Sequence, residues 1–127
     1  MKRSILSING NRPFNHILKS VLGNDYYVTI VSDPIVGIKF MRANNDISLI
    51  IIDTDLFEEE GYEFIENVNS SLLFQMPIIV LSSKDIDTMK ETFSDLTING
   101  FFKKPFSPLE LINSIKNILN TPVFQGI

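Results

Sequence analysis

The sequence predicts an α/β fold in which a parallel β-sheet is covered by helices on both faces. Three observations carry this expectation. Five short runs rich in Ile, Val and Phe recur along the 127 residues, helical patterns separate them, and two of the runs, SLIIID and PIIVLSS, are apolar throughout. A strand with one wet face alternates polar and apolar residues, whereas a strand covered on both faces does not, and such strands are typically parallel.

The first run, residues 4–8, stops at Asn9-Gly10-Asn11. Beyond it Phe14, Ile17, Leu18, Val21 and Leu22 recur at spacings of three and four, the stripe of an amphipathic helix, with Asn11 as its N-cap and Pro13 in the first turn. The second run covers residues 26–31. Asp33-Pro34 repeats the cap-and-proline start for a helix over 33–44, whose apolar residues spread too widely to define one face. The third run, 47–52, precedes a helical segment at 61–69, and the fourth, 77–82, precedes one at 86–95. The fifth, 98–102, leads to SPLELINSIKNIL, where Ser107 is an N-cap, Pro108 the first helical residue and Glu110 the partner in a capping box. Ile112, Ile115 and Leu119 mark the inner face of that last helix. Five β-α units joined by right-handed crossovers predict a flavodoxin-like (βα)5 three-layer sandwich with strand order 2-1-3-4-5. Residues 1–120 form one domain in this reading, and 121–127 a C-terminal tail or linker stub.

Composition narrows the function. The net charge is −4 and no block of Lys and Arg interrupts the chain, so direct binding to nucleic acid or an anionic membrane is not expected. There is no cysteine, which removes disulfides and thiolate metal sites. No apolar run approaches the ~18 residues of a membrane span, and the N-terminus carries no secretory pattern. The expectation is a soluble, cytoplasmic protein.

Ligands of an open parallel sheet bind beyond the carboxyl ends of its strands. The polar residues there are Asn9-Gly10 after the first run, Asp53 after the third, Ser82-Ser83 after the fourth and Lys103-Lys104-Pro105 after the fifth. Taken singly, Asp53 reads as a turn aspartate, Ser82 and Ser83 as helix caps and Lys104 as a surface lysine. Together a carboxylate, a hydroxyl and an ammonium at one edge suit phosphoryl transfer to Asp53, with Lys104 offsetting oxyanion charge and Ser82 hydrogen-bonding the transferred group. The single histidine, His16, falls in the first helix with a surface or packing role, and there is no Gly-rich phosphate loop.

These motifs resemble the receiver domain of two-component response regulators (CheY-like) over nearly the whole chain. LIIIDTDLFEEEGYEF resembles the phosphoacceptor strand and loop, PIIVLSS the fourth strand, and FFKKPFSPLEL the fifth strand and its exit. The resemblance implies Asp53 as phosphoacceptor, Ser82 at the conserved hydroxyl position, Lys104 at the invariant lysine with a cis bond to Pro105, and Phe101 at the aromatic switch. It also implies a Mg2+ site made by the Asp53 carboxylate, the backbone carbonyl of Asp55 and an acidic pair after the first strand. Asn9 and Gly10 stand at that pair, Phe57 where proline is usual, Glu60 in place of an aspartate, and Thr97-Ile98 in place of Gly-Ala.

Gly10 offers no side-chain ligand, and Asn9 reaches a metal only weakly, through water. Mg2+ is therefore expected to bind weakly or not at all. The usual acids and lysine sum to −2, whereas Asp53 with Lys104 sums to zero. Asp55 reads either as a substitute metal ligand through its side chain or, with Glu58-Glu59-Glu60, as a solvated loop acid; the second is preferred. Two functions follow. One is a receiver phosphorylated at Asp53 by a histidine kinase or phosphotransfer protein, with Ser82 and Phe101 relaying the change to a downstream protein or a homodimer partner through the face of helix 4, strand 5 and helix 5. The alternative is a pseudo-receiver, a phosphorylation-independent interaction module. Neither is an enzyme beyond its own phosphorylation and dephosphorylation, and a flavodoxin-like cofactor binder lacks a phosphate cradle.

Overall fold

The structure, a computed structural model, describes residues 2–44, 46–71 and 75–120. The tail expected at 121–127 lies outside the described residues. Ten elements alternate in the order β1 (Arg3–Ile8), α1 (Arg12–Leu22), β2 (Tyr26–Val31), α2 (Pro34–Ala43), β3 (Ile47–Asp53), α3 (Glu58–Ser70), β4 (Ile78–Ser82), α4 (Ile86–Thr92), β5 (Gly100–Lys103) and α5 (Pro108–Asn120). The strands form one parallel sheet in the order β2-β1-β3-β4-β5, the flavodoxin-like arrangement expected from the sequence.

The apolar run of β3 explains the three layers. Alternate residues of a strand point to opposite faces. Ile50 and Ile52 accordingly join Leu6, Ile8, Phe64 and Val80 in the core beneath α2, α3 and α4. Leu49 and Ile51 join Leu18, Ile79, Leu111 and Ile115 in the core beneath α1 and α5. All four residues of this run are fully buried.

Helix starts obey local chemistry. The Asn11 side chain accepts the Phe14 N–H at 3.0 Å, and Asp33 accepts the Val36 N–H at 3.0 Å, each satisfying an amide that the first turn leaves unpaired. Ser107 enters α5 with its backbone carbonyl, which accepts from Glu110 and Leu111. Within α5, Ile112, Ile115 and Leu119 are buried as expected.

Several boundaries differ from the sequence expectation. α3 begins at Glu58, three residues before the expected start, because Glu58, Glu59 and Glu60 form its first turn, where carboxylates oppose the positive end of the helix dipole. They are not loop acids. β5 begins at Gly100 because Asn99 bonds Ile78 twice, accepting its N–H through Oδ1 (2.9 Å) and donating its own N–H to the Ile78 carbonyl (2.8 Å). On α1, Ile17 and Val21 are at the surface, 37% and 42% exposed, so the inner face is narrower than the stripe. α4 ends at Thr92, before the expected 95.

Removing a buried aromatic costs far more than removing a cap. Phe64→Ala is expected to lower stability by about 3–5 kcal/mol and Asp33→Ala by about 1 kcal/mol, both read from urea-unfolding midpoints.

Candidate functional site

Parallel strands end on one side of a sheet, so the residues following them meet there. At the exit of β3, Asp53 lies opposite Leu81, and Thr54 donates its N–H to the Leu81 carbonyl (3.0 Å). Across β4, the Lys104 N–H donates to the Ser82 carbonyl (2.8 Å), which continues the β5 pairing one residue further and brings Lys104 to the edge. The Lys104-Pro105 bond is cis.

The side chains close a compact cluster. Asp53, 15% exposed, forms an ion pair through Oδ2 with the Lys104 ammonium, while its Oδ1 accepts the Asp55 N–H at 3.0 Å. Lys104 also donates to Asp55 Oδ2 (3.1 Å). The Asp55 carboxylate accepts the Ser82 hydroxyl (2.8 Å) and the Ser83 N–H (3.0 Å to each oxygen). Ser82 Oγ in turn accepts the Lys84 N–H at 3.1 Å, so its own hydrogen is directed to Asp55. Lys84 pairs with Glu58, tying the start of α3 to the β4–α4 loop.

Electrostatics follow the contacts. Burial disfavours the Asp55 anion, but the Ser83 N–H, the Ser82 hydroxyl and Lys104 outweigh it and hold the carboxyl at about 2, below its ordinary 3.8. Desolvation lowers the Lys104 pKa, and the two carboxylates raise it by more, so the ammonium is stabilised. Asp53, Asp55 and Lys104 together carry −1 rather than the zero expected for Asp53 and Lys104 alone.

The first strand contributes differently. Asn9 is buried and its amide is engaged locally, Nδ2 donating to Ser7 Oγ (2.8 Å) and Oδ1 accepting the Asn11 N–H (3.0 Å). Gly10 is exposed, and a Cβ there would have nothing within 4 Å. Among the described residues, no three or more His, Cys, Asp or Glu side chains gather to hold a metal ion. Phe101 lies on β5 in register with Val80, its ring 6.3 Å from that of Phe93, which stacks on Tyr62 at 5.8 Å. His16 lies exposed on α1, outside the cluster.

The structure thus brings Asp53, Ser82 and Lys104 together, as expected. It corrects the preferred reading of Asp55, which is not a solvated loop acid: its carboxylate is held by three donors from β4, the β4–α4 loop and the β5 exit. The Ser83 N–H is a further donor that no sequence pattern announces, since every residue but proline carries one. One signal was present for Asp55. Residues two apart in an extended segment share a face, so the Asp53-Thr54-Asp55 spacing sends both carboxylates the same way.

The model of the response regulator receiver domain family matches residues 5–116. The chain is 30% identical over 129 residues to the transcriptional regulatory protein GltR of Pseudomonas aeruginosa, covering 98% of this chain and 52% of that protein. It is 33% identical over 78 residues to the response regulator SaeR of Staphylococcus aureus, covering 60% of this chain and 33% of that one. The chain therefore spans about half the length of the first relative and a third of the second. Among solved structures, the fold is similar to the receiver domain of a sensor histidine kinase of Pseudomonas aeruginosa with a magnesium ion coordinated in its active-site cleft, at 21% identity and a TM-score of 0.77 over 95% of this chain and 100% of that one. It is likewise similar to the chemotaxis protein CheY4 of Vibrio cholerae, at 18% identity and a TM-score of 0.80 over 93% and 99%.

The lowered Asp55 pKa has a stability consequence. A carboxyl whose pKa is depressed by folding stabilises the fold above its unfolded value, and that contribution is lost as pH falls through the folded value. Between about pH 4 and pH 2, the parent chain is expected to lose about 1–2 kcal/mol more than Asp55→Asn, after allowance for solvent screening, in urea titrations at each pH.

Proposed function

The chain belongs to the response regulator receiver family, and we propose from that membership that residues 1–120 are the receiver of a two-component system, with Asp53 as phosphoacceptor and with weak Mg2+ binding. Receiver domains are signalling domains rather than classical enzymes. The observation that carries the reading is the meeting of the Asp53 carboxylate with the Lys104 ammonium beside Ser82, at the carboxyl edge of the sheet. In the transfer, an Asp53 oxygen attacks the phosphorus of a phosphohistidine on a histidine kinase or phosphotransfer protein. The P–N bond breaks with its electron pair going to the imidazole nitrogen, the P–O bond forms, and Lys104 offsets charge on the phosphoryl oxygens. The Ser82 and Phe101 positions relay the change to a downstream protein, or to a second copy of the chain, through α4, β5 and α5. The acidic net charge argues against nucleic-acid binding by this domain, and no described helix is long and apolar enough to cross a membrane.

The Mg2+ implied by family membership meets a poor donor set. Asp53 already answers Lys104 and the Asp55 N–H, the Asp55 carboxylate is held by three other donors, the Asn9 amide is engaged, and Gly10 has no side chain. Mg2+ demands near-octahedral oxygen ligands, and these residues do not fit a tightly held ion.

A second reading, the phosphorylation-independent interaction module, is favoured by one observation: the Ser82, Ser83 and Lys104 donors already serve Asp55. Acetyl phosphate with Mg2+ separates the two. Slow, partial gain of one phosphoryl group by intact mass, absent from Asp53→Asn, is expected; no gain at all overturns the phosphoacceptor reading in favour of the module.

Restoring an acid tests the metal. Because a side chain at position 10 meets open space, Gly10→Asp is expected to tighten Mg2+ binding by roughly 10- to 100-fold or more with the fold intact, measured by NMR titration at Asp53.

A further inference from the structure

We propose that the Asp55 carboxylate is a ligand built into the chain for the oxyanion cradle formed by the Ser82 hydroxyl, the Ser83 N–H and the Lys104 ammonium. In this role it keeps the cradle in its anion-bound arrangement without any phosphoryl group. The inference goes beyond both functional readings and stands whether or not Asp53 accepts phosphate.

The geometry separates this role from that of a turn-capping aspartate, which bonds amides within its own turn. Asp55 bonds groups 27, 28 and 49 residues away, on β4, the β4–α4 loop and the β5 exit. The donors differ in kind and converge from separate segments. Two of them have a further partner, Ser82 Oγ accepting the Lys84 N–H and Lys104 pairing with Asp53, while Ser83 gives its N–H to Asp55 alone, shared between both carboxylate oxygens. Hydrogen bonds to an ionised acceptor are shorter and stronger than neutral ones, so a filled cradle orders the segment leading into α4. A second anion on Asp53 has to displace Asp55 before it can use the same donors. Asp55 thereby does two things: it orders the β4–α4 loop constitutively, and it competes with any added oxyanion.

The test is amide hydrogen exchange and two-dimensional NMR on the full chain, without phosphodonor or metal. In Asp55→Ala, the Ser83 amide is expected to exchange roughly tenfold faster or more and to shift upfield, while the amides of Leu49 to Ile52 stay unchanged. Asp55→Asn, which keeps the shape and an acceptor but not the charge, falls between the two. Sodium formate titrated into Asp55→Ala restores the Ser83 amide and leaves the parent chain unaltered, since its cradle is full. Unchanged Ser83 exchange in either folded variant, or no effect of formate on Asp55→Ala, overturns the proposal. The same result in an Asp53→Asn background, where phosphorylation is impossible, separates failure of this inference from failure of the phosphoacceptor reading.

Discussion

One ammonium group shared between two carboxylates organises the functional edge of this domain. Lys104 bonds Asp53 and Asp55 at once, and it can do so only because β5 lies beside β4 and β4 beside β3. The two acids meet at one cation, and like charges brought to one place repel. That repulsion is tolerated because each carboxylate has its own further donors: the Asp55 N–H for Asp53, and Ser82 with Ser83 for Asp55. The donors of this site are therefore already engaged within the chain.

The sheet delivers this arrangement through a division of labour along each strand. Apolar residues are buried on both faces over the length of β3 and β4, and the chain becomes polar where the strands run out. Helix α3 then passes close over the exit of β3. A Cβ at Gly61 would lie 3.3 Å from Thr54 Cγ2, so a side chain at that position forces its neighbour to give way. The Glu58–Lys84 pair draws the start of α3 toward the β4–α4 loop. Core packing and surface charge therefore converge on the same short segments.

Much of this was legible in the sequence for identifiable reasons. Uninterrupted apolar runs marked β3 and β4, and Asn11 and Asp33 announced their helices because a short polar side chain before a proline has one obvious local partner. What escaped depended on partners far along the chain. Asp55 reads as a loop acid because the residues that hold it lie on β4, just after it, and beyond β5. Glu58 to Glu60 are ambiguous in the sequence because an acidic run belongs equally to a solvated loop and to a first helical turn. The start of β5 is hidden from propensity because Asn99 pairs with Ile78 through its side chain as well as its backbone.

The four residues Leu49-Ile50-Ile51-Ile52 are almost interchangeable in size and polarity, and hydrophobic burial alone can barely tell one alignment of β3 from another shifted along its neighbours. A slip of two residues keeps every side chain on its own face and moves the strand by about 7 Å. Its clearest cost is polar: Asp53 leaves Lys104, and Asp55 leaves Ser82 and Ser83. The charged edge therefore favours the observed register over one slipped by two residues, and so fixes the alignment of a nearly featureless central strand.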